Sequence, residues 1–168
     1  KKVMYLSNQY YNEGLEKAQV RDLSGAVACL KQSLKLNKNH TNARNLLGLV
    51  YFEMGEAVAA LTEWVISKSY QSEKNIADDY ITKVQSNPSG LEDMNVSVKK
   101  YNQALSYCQQ DSLDMATIQL RKVVLTNPKL IPARQLLALL YIRSEEWTKA
   151  KKELDACKRI DCGDVKTN

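Results

Sequence analysis

Proline, glycine and phenylalanine are scarce in this chain: three, six and one among 168 residues. A β-sandwich needs turn residues every few positions and a disordered chain is rich in proline and glycine, so both classes are disfavoured. Long apolar runs are also missing. The longest, Leu46–Phe52 and Leu136–Ile142, are seven residues each, where a membrane-crossing helix needs about 20. Histidine occurs once, at His40, and the four cysteines (Cys29, Cys108, Cys157 and Cys162) form no CxxC pair. Zinc ligation is therefore not expected, and reduced thiols packed as small side chains are. The sequence opens on Lys1-Lys2-Val3 with neither an initiator methionine nor a signal-peptide pattern, as expected of a piece of a longer cytoplasmic protein.

Catalytic patterns are missing as well. No Ser or Cys stands in a motif with His40, and neither GxxxxGK[ST] nor GxGxxG occurs, so no enzyme, cofactor or small-molecule substrate is expected. Asp78, Asp79, Glu92 and Asp93 read as solvated acids near helix starts. Lys149, Lys151, Lys152, Lys158 and Arg159 crowd the last helix, but Glu145, Glu146, Glu153, Asp155 and Asp161 interleave with them. No series of aromatic residues accompanies these charges, which disfavours nucleic acid as a partner.

What the chain has in quantity is Leu, Ala, Lys, Glu and Gln, and it uses them periodically. "ARNLLGLVYFEMGEAVAALTEW" at 43–64 returns 90 positions later as "ARQLLALLYIRSEEWTKAKKEL" at 133–154. A shorter period of 34 lies inside it: Gly14 and Gly48, Ala26 and Ala60, Leu30 and Trp64 in one half. Ala104 and Ala138, Tyr107 and Tyr141, Ala116 and Ala150, Leu120 and Leu154 repeat it in the other. Here the sequence resembles the tetratricopeptide repeat family, whose 34-residue unit carries L-G-x2-Y followed by A-x3-F. The best copy is Leu47-Gly48-x2-Tyr51 with Ala60-x3-Trp64. Four units fit, at 7–40, 41–74, 97–130 and 131–164. Glu13, Lys17, Lys38 and Gln103 depart from the pattern, so units one and three resemble each other, as do two and four. A two-unit piece, duplicated, accounts for that.

The expected fold is an all-α solenoid of antiparallel helix pairs, about nine helices in all. Turns are expected at Arg21-Asp22, Gly55-Glu56, Asp111-Ser112 and Glu145-Glu146, with glycine or alanine wherever two helices cross. The chain divides into three segments: a first module at 1–72, an acidic insertion at 73–96 and a second module at 97–168, carrying formal charges of +3, −3 and +5. The insertion is expected to hold one helix with a stripe of Ile76, Tyr80, Ile81 and Val84. Asn87-Pro88-Ser89-Gly90 should end it as a turn before a long helix from about Leu91 to Gln109. One extra helix reverses the array, so the modules should meet at an angle with the insertion as the joint. Contacts confined to neighbours would let the halves open separately.

The resemblance implies that the first helix of each unit lines a concave, partner-binding face. Carried over by position, that face is Asn8, Tyr11, Leu15, Asn42, Asn45, Leu49 and Phe52, then Val98, Tyr101, Leu105, Cys108, Gln135, Leu139 and Ile142. Lysines that clamp carboxylate tails in some family members are missing here. An apolar strip edged by amides suits an amphipathic helix or hydrophobic peptide of a protein partner, which includes another copy of this chain. The competing expectation is a spacer or self-association module whose groove is filled by its own chain. The repeat usage looks bacterial.

Overall fold

The computed structural model describes residues 1–163. The end of the fourth expected unit, at 164, and residues 165–168 of the second expected module lie outside them. The described residues form nine helices and no strand: α1 (Lys2–Gln19), α2 (Leu23–Leu36), α3 (Thr41–Glu53), α4 (Ala57–Tyr70), α5 (Ala77–Gln85), α6 (Pro88–Gln109), α7 (Leu113–Thr126), α8 (Ile131–Arg143) and α9 (Trp147–Ile160). Helices α1/α2, α3/α4, α6/α7 and α8/α9 pack as antiparallel hairpins. The expected all-α solenoid of tetratricopeptide-like helix pairs is what forms.

Each hairpin turns at the expected place by one device. Arg21, Gly55, Asp111 and Glu145 adopt left-handed backbone, with φ of 62°, 77°, 59° and 63°. The following N–H reaches back five residues: Asp22 to Lys17 O (2.8 Å), Glu56 to Tyr51 O (2.9 Å), Ser112 to Tyr107 O (2.8 Å) and Glu146 to Tyr141 O (2.8 Å). These bonds satisfy carbonyls that a helix end leaves open. Three of the four turns place a non-glycine residue in a conformation that costs about 1–2 kcal/mol, so the packing beyond the turn imposes the reversal.

That packing is the crossing of the two helices. Ala26, Ala60, Ala104 and Ala116 are wholly buried. A β-carbon on Gly48 would fall within 2.7 Å of Trp64 Cδ1, and one on Gly14 within 2.9 Å of Leu30 Cγ. Trp64 lies across α3 and donates its indole N–H to Asn45 O (3.1 Å). A second tie appears twice, 90 residues apart: Arg44 to Glu63 (2.9 Å) and Arg134 to Glu153 (2.8 Å). Arg44 also donates to Lys38 O and Arg134 to Pro128 O, so each guanidinium joins its own hairpin to the preceding loop.

The insertion differs in detail from the expectation. Ala77 stands 34 residues after Ala43 and both are fully buried. Helix α5 therefore sits against α4 as the first helix of another unit would. Tyr80, Ile81 and Val84 pack, with Leu61, Leu49 and Phe52, against the buried cluster around Trp64, but Ile76 is exposed at the N-cap. Asn87–Gly90 is the start of α6 and not a terminating turn. Asn87 caps it by accepting from Gly90 N (3.1 Å), with Pro88 at the first helical position, where a missing N–H costs nothing.

After α5 the chain runs back on itself. The loop after α7 meets the α3–α4 turn: Asn127 Nδ2 donates to Gly55 O (3.0 Å) and Lys129 pairs with Glu53 (3.2 Å). The end of α9 meets the α1–α2 turn. There the Asp161 carboxylate accepts from Leu23 N (2.8 Å) and Ser24 N (3.2 Å), and Cys162 N donates to Arg21 O (3.0 Å). The last hairpin thus caps α2, alongside that helix's own cap, Asp22 to Gly25 N (3.0 Å).

This packing has two measurable consequences. Gly48→Leu is expected to lower stability by about 1–3 kcal/mol or more through overpacking against Trp64, while Lys35→Ala on the outer face of α2 stays within about 0.5 kcal/mol; urea melts check both. Asp161→Ala is expected to cost about 1–2 kcal/mol and to speed amide exchange at Leu23 and Ser24, on the far side of the sequence. Unchanged exchange at those two amides would mean the cap contributes nothing in solution.

Candidate functional site

The expected partner face divides into a part the chain uses itself and a part left open. In the first half, Asn8 and Asn42 are exposed, and Tyr11 and Leu15 are half-buried. Asn45 is a correction. It is only 6% exposed, and its Nδ2 donates to Asn75 Oδ1 (2.8 Å) in the loop before α5. Asn75 in turn donates to Ser67 Oγ (2.9 Å). The amide expected at a groove edge is therefore an internal strut. Leu49 and Phe52 lie under α5, in an aromatic cluster in which Trp64 is 6.3 Å from Phe52 and 5.3 Å from Tyr80 between ring centres. A cavity of about 340 Å³ remains there, with Leu91 and Met94 of α6 on its wall.

In the second half the equivalent positions are exposed or half-buried among the described residues. Val98, Leu105 and Leu139 are 41%, 36% and 60% exposed, and Tyr101, Cys108, Gln135 and Ile142 are half-buried. A groove of about 540 Å³ runs between Tyr101, Gln135, Leu139, Ile142 and Leu154. It shares Tyr101 and Pro132 with a second cleft of about 650 Å³, where α6 faces the first turn of α4. Burial pushes the Tyr101 phenol above its ordinary pKa, with the Cys108 thiol adding to the effect. Burial likewise raises Cys108 and, in the cleft, the Glu56 carboxyl, against the opposing charge of Lys31. The walls are apolar with a few polar groups, as in sites that hold a ligand side chain. Among the described residues no three His, Cys, Asp or Glu side chains converge, and no helix is long and apolar enough to cross a membrane.

His40 is the functional-looking residue that spacing did not place. It caps α3 by accepting from Ala43 N at Nδ1 (3.1 Å), and its Nε2 meets Asn8 Oδ1 (2.9 Å). The Tyr11 ring lies 4.9 Å away between centres. Both bonds require the neutral ring with its proton on Nε2. The available signal was its position just before a helix, normally held by Ser, Thr, Asp or Asn.

Burial lowers the His40 pKa. With the folded value below the unfolded value of about 6.5, the unfolded chain binds more protons in that window, so stability rises with pH. The contribution is present above about pH 6.5 and is lost as pH falls through the folded value. A melting temperature that drops more between pH 7.5 and 5.5 in the natural chain than in His40→Asn, which keeps a cap but cannot titrate, is the expected result.

No family model matches the chain. A segment covering 51% of it is 33% identical over 86 residues to the BBSome complex member bbs-4 of Caenorhabditis elegans, and spans only 18% of that protein's length. Among solved structures, the P58(IPK) TPR domain superposes with a TM-score of 0.47 at 17% identity, over 96% of this chain and 52% of that one. MamA 41-end of Desulfovibrio magneticus RS-1 gives 0.44 at 16%, over 95% and 97%. YrrB, described as a TPR protein with an unusual peptide-binding site, gives 0.40 at 18%, over 94% and 88%. Superpositions this loose carry no argument about function; the hairpin architecture rests on this chain's own geometry.

Proposed function

We propose that the chain is a non-enzymatic, cytoplasmic scaffold that holds a helix or peptide of a partner protein on the inner face of its second half. The observation that supports this is the contrast between equivalent positions. Leu49 and Phe52 are covered by α5, whereas Leu139 and Ile142, 90 residues later, border an open groove. Water against Leu139, Leu105 and Val98 is unfavourable at about 25 cal/mol per Å² of apolar surface, and a bound apolar side chain removes it. Tyr101 offers a large contact surface with few rotatable bonds. Asn8, Tyr11, Leu15 and Asn42 would supply at most a flanking contact, since the centre of the first face is occupied. The filled first face also favours the spacer reading for that half: there, the groove is occupied by its own chain.

A peptide library selected against the full chain provides the test. Selected peptides are expected to shift the amide resonances of Tyr101 and Leu139. Tyr101→Ala should weaken them at least about tenfold, the loss of one aromatic anchor, while Tyr11→Ala changes little. A large fall in melting temperature for Tyr101→Ala would make that residue core, and selection that maps elsewhere would remove the groove from consideration.

A further inference from the structure

The duplication supplies an internal guide to what fits the open end of the array. On the first half, the α3–α4 face is covered by α5, and the chemistry of that contact is explicit. Tyr80, Ile81 and Val84 of α5 and Leu49, Phe52 and Leu61 of the hairpin pack against one buried cluster centred on Trp64, with the Tyr80 ring 5.3 Å from the Trp64 ring between centres. In the first turn of α5, Asp78 pairs with Lys68. Ninety residues on, Leu139, Ile142, Lys151, Leu154 and Lys158 occupy the positions of Leu49, Phe52, Leu61, Trp64 and Lys68. Two differences matter. Leucine in place of tryptophan and isoleucine in place of phenylalanine remove aromatic volume where the groove of about 540 Å³ opens beside Leu154. Lysine in place of Leu61 adds positive charge, and Lys151 and Lys158 are both exposed.

We propose that the α8–α9 face is a docking site for an amphipathic helix of a partner protein, seated as α5 is seated on α3–α4. The partner helix has the chemistry of α5: acidic residues in its first turn to meet Lys158 and Lys151, then an aromatic and β-branched stripe. Its aromatic side chain enters the space that Leu154 leaves where Trp64 fills the first half. Arg143, at the position of Glu53, adds a further cation at this end, so the face selects an acidic helix over a basic one. This rests on the scaffold reading and specifies its partner. Docking buries Leu139 and Ile142, two of the apolar residues that line the groove.

The probe is the chain's own α5 segment, an acetylated, fluorescein-labelled peptide of residues 75–86, titrated against the full chain by anisotropy. Binding is expected with Kd of about 10–100 µM, since a short free helix must order on binding. Leu139→Asp should weaken it at least about tenfold, because a carboxylate would be buried in an apolar contact. Lys158→Glu should weaken it several-fold, and a peptide carrying Asp78→Lys should recover the loss on that variant only. Both substituted positions are exposed, and circular dichroism confirms that the variants fold.

Absence of binding up to about 1 mM, or binding indifferent to both variants because the peptide merely competes with α5 at its own seat, would overturn the inference. So would light scattering showing a dimer that Leu139→Asp dissolves, since a second copy would then be the occupant. If the α5 peptide fails while library-selected peptides still shift Tyr101, only this inference is lost. If both fail, the scaffold reading goes with it.

Discussion

Where α3 and α4 cross, the Trp64 indole lies so close to Gly48 that no β-carbon fits there, and Ala60 is wholly buried. That close approach sets the rest. It brings Trp64 across α3, where its indole N–H finds Asn45 O. It also aligns Arg44 with Glu63 and Arg134 with Glu153. With each crossing fixed, the connection must reverse within two or three residues. Arg21, Asp111 and Glu145 therefore accept left-handed backbone that their side chains disfavour.

Features written at a fixed spacing were legible in the sequence. The hairpin turns, crossing residues and helix pairs all recur every 34 positions and can be read by counting. Features that depend on one local choice were harder. Asn87-Pro88-Ser89-Gly90 contains the residues of a turn, and the same residues serve as N-cap, first helical position and first turn. Only the packing beyond α5 decides between the two. Asn45 was misplaced because its concave position says nothing of Asn75, which arrives from the next segment to take its hydrogen bond. The Arg–Glu ties were visible in hindsight as Arg44 and Arg134 with Glu63 and Glu153, but charged residues on amphipathic helices are usually solvated. Burial was the missing information.

The duplicated halves carry the same frame to different ends. Where the first half has Phe52, Leu61 and Trp64, a covering helix finds an aromatic and wholly apolar seat. The second half has Ile142, Lys151 and Leu154 at the same positions, a less aromatic and less apolar surface. Lys151 is consistent with that: a long aliphatic stem keeps its ammonium in water while covering neighbouring carbon. The 90-residue sequence repeat thus gives the two faces the same frame, and the substitutions set their different chemistry.

An open solenoid has only neighbour contacts, so its ends fray and its halves unfold independently. The contacts of Asp161 with Leu23 and Ser24, of Cys162 with Arg21, and of Asn127 with Gly55 change the connectivity. Unfolding α9 withdraws a helix cap from α2, nearly the whole chain away, and unfolding α2 takes from the Asp161 carboxylate the Leu23 and Ser24 donors, leaving it the local Gly163 N–H. Each end then penalises the loss of the other, by about the worth of a cap and a charge-assisted hydrogen bond. Helix α5 packs on the apolar seat of α3 and α4, whereas Leu139 on α8 is 60% exposed among the described residues.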